Sequence, residues 1–185
     1  MNEDLQCYRN VNPFFFDSIS QAARRLNIRV PEEVVGYLTS VMASFHTDGG
    51  KTYQSLYTGR KDDRGLEPLT LKLQHVQASS LPDVQQLRMR NVAEACLFLL
   101  SCRYSFLKEQ GKVCWYQSTG SEAYKSLTKM TPEPSIRDIY AIVAKEFERH
   151  TRVIRESKVA AFHSTDPINL LLAGTLLAAH PAENS

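Results

Sequence analysis

An all-α fold is the class this sequence predicts, and three observations predict it. Apolar residues recur at three- and four-residue intervals in most stretches that carry them. The ends of those stretches coincide with capping residues, Pro and Gly. No run reads as a strand, and no internal repeat is found. The chain has 185 residues, of which 43% are hydrophobic and 23% charged. That length suits one domain, and a chain of this size buries roughly 70% of its unfolded surface. A single domain over 1–185, a bundle or orthogonal array of about seven helices, is therefore expected.

The elements follow in order. Asn12-Pro13 supplies a cap and a first helical residue, and Phe15, Ile19, Ala22 and Leu26 form the apolar face behind them. Pro31 with Glu32 and Glu33 opens a second helix, the acids lying at the positive end of its dipole. Val34, Leu38, Val41, Met42 and Phe45 form its stripe, and Asp48-Gly49-Gly50 ends it. The periodicity fails between 51 and 65, which reads as a long mobile connection. A short helix from Glu67 to Ala78 follows, with Leu69, Leu73 and Val76 on one face.

The longest helix is expected from about Pro82 to Leu107. Val84, Leu87, Asn91, Ala95, Leu99, Cys102 and Phe106 trace its stripe, and Cys96 to Leu100 is apolar on every side, as in a helix buried among several neighbours. Gly111 breaks the chain, and Val113 to Met130 forms the next helix. Thr131-Pro132-Glu133-Pro134 ends it, and Ser135 caps one continuous helix running to about Lys158. Ile136, Tyr140, Val143, Phe147, His150 and Ile154 give that helix a seam close to heptad spacing. Asp166-Pro167 opens a leucine-rich last helix, and 181–185 reads as a frayed tail.

Several activities are disfavoured. Lys and Arg number 22 against 20 Asp and Glu, and many are interleaved, as in Lys145-Glu146-Phe147-Glu148-Arg149. Self-neutralising solvated faces are the reading, and no nucleic-acid partner is expected. The longest apolar stretch, 168–179, is shorter than the roughly twenty residues of a membrane span. The start of the chain lacks the basic and apolar runs of a secretory signal, and Cys7, Cys96, Cys102 and Cys114 form no C-x-x-C pair. A cytoplasmic protein with structural thiols is expected.

No catalytic constellation can be assembled, so no enzyme and no cofactor are predicted. Glu146 and His150, four apart, could share an ion, but no second such pair and no H-E-x-x-H exists. The other histidines, His46, His75, His163 and His180, fall near helix ends or in loops. A thiol nucleophile with His150 as base lacks any spacing that brings the two together. The polar residues of apolar helices carry more information. Glu94 and Arg90 are four apart and can pair, while Arg103 follows the all-apolar run and needs an acceptor or a route to solvent. Gly120 lies inside a helix, where it is costly unless something approaches closely; another backbone is the simplest candidate.

Two of these segments resemble a family of uncharacterised bacterial all-helical proteins. The family reads Gly-Asp-x-x-Leu-Phe-x-x-Gly-Phe-Phe on one helix and Tyr-Tyr-x-x-x-Gly-x-x-Ala-Tyr on the next. Here the first is Ala93-Glu94-Ala95-Cys96-Leu97-Phe98-Leu99-Leu100-Ser101-Cys102-Arg103, with both glycines and the last two aromatics replaced. The second is Trp115-Tyr116-Gln117-Ser118-Thr119-Gly120-Ser121-Glu122-Ala123-Tyr124. The resemblance implies a helical fold and no reaction, and it singles out Glu94, Tyr116, Gly120 and Tyr124.

The functional expectation is a non-enzymatic helical module that binds protein, itself included. The Ile136–Ile154 seam and the last helix are the candidate faces. The alternative is a small-molecule-binding regulatory domain, with Glu94, Arg103, Tyr116, Gly120, Tyr124 and His150 as candidate ligand contacts in an inter-helix pocket.

Overall fold

The computed structural model describes residues 13–47 and 81–160. The expectations for Cys7, the 51–65 connection, the 67–78 helix, the last helix, the tail, the His46 side chain, and His75, His163 and His180 lie outside the described residues. Within them the chain is all-α, without a strand. Seven helices lie wholly within the described residues: α1 (Pro13–Arg25), α2 (Glu32–Thr47), α3 (Pro82–Cys102), α4 (Tyr104–Glu109), α5 (Val113–Met130), α6 (Pro134–Lys145) and α7 (Phe147–Arg155).

The helix ends follow from local chemistry. Past α1, Asn27 takes a left-handed conformation (φ 53°), Asn27 N–H donates to the Arg24 carbonyl, and Ile28 N–H to that of Ala23. Past α4, Gly111 (φ 64°) repeats this geometry, with Gly111 N–H on Lys108 and Lys112 N–H on Leu107. Both are Schellman stops, using the two residue types that best tolerate that conformation. Proline opens α1, α3 and α6, where its missing N–H costs nothing.

α3 and α5 form the central pair. α6 packs on the far side of α5, α7 crosses α3, and α1 and α2 close the remaining side. Ala95 to Ser101 is buried without interruption, as the all-round apolar run requires. Ile19, Val34, Leu38, Met42, Leu97, Leu107, Leu127, Val143 and Ile154 complete a core drawn from every helix.

Three expectations are corrected. The central helix does not continue to Leu107: it breaks at Arg103 (φ −127°, ψ 25°), and α4 starts anew. The 135–158 helix breaks likewise at Glu146 (φ −112°, ψ 26°). Around each break the flanking α-type bonds persist, Arg103 N–H to Leu99 and Leu107 N–H to Arg103, then Glu146 N–H to Ile142 and His150 N–H to Glu146. The chain thus changes direction while keeping its ladder on both sides. At Glu146 this frees α7 to bury Phe147, His150, Val153 and Ile154 among α1, α3 and α5. The heptad-like seam is consequently inside the domain rather than offered to a partner. Finally, Leu87 is exposed, while Met89, Val92 and Ala93 are buried, so the core face of α3 is rotated from the expected stripe in its first turns.

Candidate functional site

Four helices bring one polar side chain each to a common point inside the domain. Tyr37 comes from α2, Glu94 from α3, Tyr124 from α5 and Tyr140 from α6. Tyr37 Oη donates to Glu94 Oε1 at 3.1 Å and lies 3.1 Å from Tyr124 Oη. Since the single Tyr37 proton is committed to the carboxylate, Tyr124 is the donor in the second bond. The result is a directional chain: Tyr124 to Tyr37 to Glu94. Arg90, one turn earlier on α3, closes it by donating from Nε to Glu94 Oε1 at 2.7 Å.

The rings make the walls. Tyr37 meets Tyr124 edge-on (6.2 Å, 86°) and Tyr140 edge-on (5.6 Å, 76°), and Tyr124 tilts against Tyr140 at 5.8 Å and against Phe147 at 5.8 Å. These are the offset geometries that aromatic quadrupoles favour. Burial pushes both Tyr37 and Tyr124 well above the ordinary phenol value, and the nearby Glu94 and Tyr140 act in the same direction on each. Both phenols stay neutral in water of any ordinary pH and each keeps its proton to donate. The side chain of Glu94 keeps 12% of its surface accessible, beneath an Arg90 that is 46% exposed. The cluster therefore joins the core to solvent at one point, and that point is an ion pair.

The remaining candidates are separated from it to different degrees. Gly120, one turn before Tyr124 on α5, faces the α3–α7 contact. A Cβ there would overlap the Phe147 ring and fall 2.9 Å from Cys96 Cβ, so the close approach is by side chains and not by a second backbone. Tyr116, one turn earlier still, is fully buried with its ring edge-on to Trp115 at 4.8 Å. Arg103 lies nine residues beyond Glu94 on α3, about 13 Å along a helix, at the break before α4. The structure does not bring it to the tyrosines.

His150 is buried on α7 at 1% exposure, and its Nδ1 has no hydrogen-bond partner among the described residues. Burial lowers its pKa to about 4; Glu146 and the Val143 carbonyl act in the opposite direction and lose. Glu146 is engaged by Arg149 Nη1 at 2.7 Å. Among the described residues no group of three His, Cys, Asp or Glu could hold a metal ion. Burial also pushes the Cys96 thiol far up and the Cys102 thiol up to about 12, the latter against the pull of Arg103. Neither is a thiolate near neutral pH, the form a nucleophile needs. Cys114 is exposed and belongs, with Gln117, Ser118, Ser121, Glu122 and Lys125, to a shallow depression of about 430 Å³ on the outer side of α5.

Sequence reasoning found Glu94, Arg90 and Tyr124 but missed Tyr37, and it placed Tyr140 only in a seam. Tyr37 sits in the apolar run Val34-Val35-Gly36-Tyr37-Leu38, where its hydroxyl carries no periodic signal. The available signal was stoichiometric: a buried phenol and a buried carboxylate each need a partner. No protein-family model, no curated protein and no solved structure matches this chain.

Proposed function

We propose that this chain is a non-enzymatic helical module that binds protein, with the first turns of α3 as part of its contact face. The observation that carries the reading is the exposure of two leucines there, Leu81 at 62% and Leu87 at 58%, with Val84 half-buried beside them. Large apolar side chains grouped on a helix surface favour contact with another apolar surface. The Glu94 cluster supports the same reading, because its polar groups are engaged with one another: Glu94 with Arg90 and Tyr37, Tyr37 with Tyr124. A cytoplasmic location fits the free thiols Cys96, Cys102 and Cys114. No helix among the described residues is long and apolar enough to cross a membrane.

Self-association is the first form of this function to test. Sedimentation equilibrium of the wild-type protein and of Leu81→Glu/Leu87→Glu should show a concentration-dependent assembly that the double variant loses, with helical content by circular dichroism unchanged. A wild-type protein that remains monomeric to high concentration would remove self-association; identical assembly in the variant would remove this face.

A second reading, a small-molecule site, rests on the accessible edge of Glu94 beneath Arg90. Native mass spectrometry of gently purified protein should then show added mass, lost in Glu94→Gln. Bare monomer in both samples would count against it.

A further inference from the structure

The last turns of α1 and α7 meet, and both end in arginine: Arg24 and Arg25 on α1, Arg152 and Arg155 on α7. The two turns are tied together. Arg25 Nη2 donates to the Glu156 carbonyl at 2.6 Å, and Lys158 N–H donates to Ser18 Oγ at 2.8 Å. Arg155 is fixed differently, its guanidinium 3.9 Å above the Tyr104 ring. Five cationic side chains, Lys158 among them, are thereby gathered at one end of the domain.

Elsewhere on the described surface several cations are neutralised by neighbours: Arg90 by Glu94, Lys125 by Glu122, Arg149 by Glu146. Among the described residues none of the five at the α1–α7 junction has an ion-pair partner, and Arg24, Arg152 and Lys158 are exposed. Attraction to the helix C-terminal dipoles applies to all four arginines. Arg25 and Arg155 are anchored besides, whereas the side chains of Arg24, Arg152 and Lys158 make no hydrogen bond or ion pair among the described residues. We infer that the α1–α7 junction is a docking surface for a carboxylate-rich segment of a partner protein. Arg25 and Arg155 hold the surface rigid, and Arg24, Arg152 and Lys158 present donors that carboxylates accept.

The class of partner follows from what surrounds the cations. Glu148 and Glu156 also lie exposed on α7. Their charges repel a continuous polyanion but admit a chain whose acids are spaced, and such mixed patterns set register. Among the described residues no exposed aromatic ring lies at the junction to stack on a base: Tyr104 lies beneath Arg155, and Phe14 is at the opposite end of α1. Among the described residues no exposed large apolar side chain lies at the junction to enter a bilayer. This surface is distinct from the Leu81–Leu87 face, so either can fail without the other.

The test is fluorescence anisotropy with a fluorescein-labelled peptide of alternating Glu and Ser, titrated with the full chain at low and at physiological salt. Binding that weakens with salt is expected, and Arg24→Glu/Arg152→Glu should weaken it at least ~10-fold. Arg24→Gln/Arg152→Gln should give a smaller loss in the same direction, and Lys125→Glu/Lys129→Glu on α5 should leave binding unchanged. Circular dichroism checks that each variant is folded. No binding of the peptide overturns the proposal, as does equal loss in the α5 variant, which would mean bulk charge alone. Tighter binding of single-stranded DNA or of phosphatidylserine vesicles than of the peptide, at the same salt, also overturns it in favour of that class.

Discussion

Phe147 stands between two buried polar regions in which burial is made tolerable by different means. On one side its ring leans on Tyr124, the start of the Tyr124–Tyr37–Glu94 chain, in which each hydroxyl donates and the carboxylate accepts from Arg90 as well. On the other side, one turn further along α7, His150 is also buried, with Nδ1 lacking a hydrogen-bond partner among the described residues. The first region keeps a charge near the core by surrounding it with donors. The second avoids a charge altogether, since burial holds the imidazole neutral. A buried network and a buried lone base therefore respond to opposite perturbations: the network to loss of a hydroxyl, the base to gain of a proton.

Removing the divider should have the largest effect. Phe147→Ala takes away a buried ring that fills the space beside Gly120 and braces Tyr124, and truncations of this kind cost about 4 kcal/mol. Urea unfolding of the variant should show that loss. Gly120→Leu in the same background should cost less than in the wild type, because the ring it would overlap is gone. Additive losses would mean that the helix glycine and the ring are not packed against one another.

That contact shows how far the sequence could be read. The all-α class, the starts at Pro13, Glu32 and Pro82, the all-round burial near Leu97, and the full Val113–Met130 helix follow from periodicity and punctuation. Gly120 signalled a close approach, yet a single glycine does not say what approaches it. The breaks at Arg103 and Glu146 left no trace, since neither residue is Gly or Pro and the apolar spacing runs through both. The seam from Ile136 to Ile154 looked like one outward face because periodicity assumes one axis. Bent at Glu146, the same residues turn inward. Half of the Glu94 cluster was legible because Arg90 and Glu94 are four apart on one helix. Tyr37 and Tyr140 enter from helices far away in sequence, and a local pattern holds no information about that pairing.

The lone base should be the most pH-sensitive part of the domain. An unfolded imidazole takes up a proton near its ordinary value of 6.5, and the folded His150 resists until about 4. Within that window the unfolded chain binds the extra proton, so stability falls as the pH falls from about 6.5 to about 4. The shift corresponds to a loss on the order of 3 kcal/mol. It is absent above the window and complete below it. Carboxylates titrate over part of the same range, so the diagnostic quantity is the difference between the wild type and His150→Leu. Urea midpoints at pH 7 and pH 4.5 should fall further for the wild type than for the variant. Parallel changes would mean that the folded imidazole accepts its proton normally.

Within the network, position in the chain of donors should set the size of the smallest effect. Tyr37→Phe removes both of its hydroxyl contacts and leaves the Tyr124 hydroxyl buried without its acceptor, a loss of about 2 kcal/mol. Tyr124→Phe removes only the first donor, while Tyr37 still reaches Glu94, and about 1 kcal/mol is expected. Combined, the two changes should cost less than their sum, because the second deletion removes the orphan that the first created. Equal single losses that add would show two independent hydroxyls. A larger loss for Tyr124→Phe would reverse the direction assigned to the chain and make Tyr124, not Tyr37, the residue on which Glu94 depends.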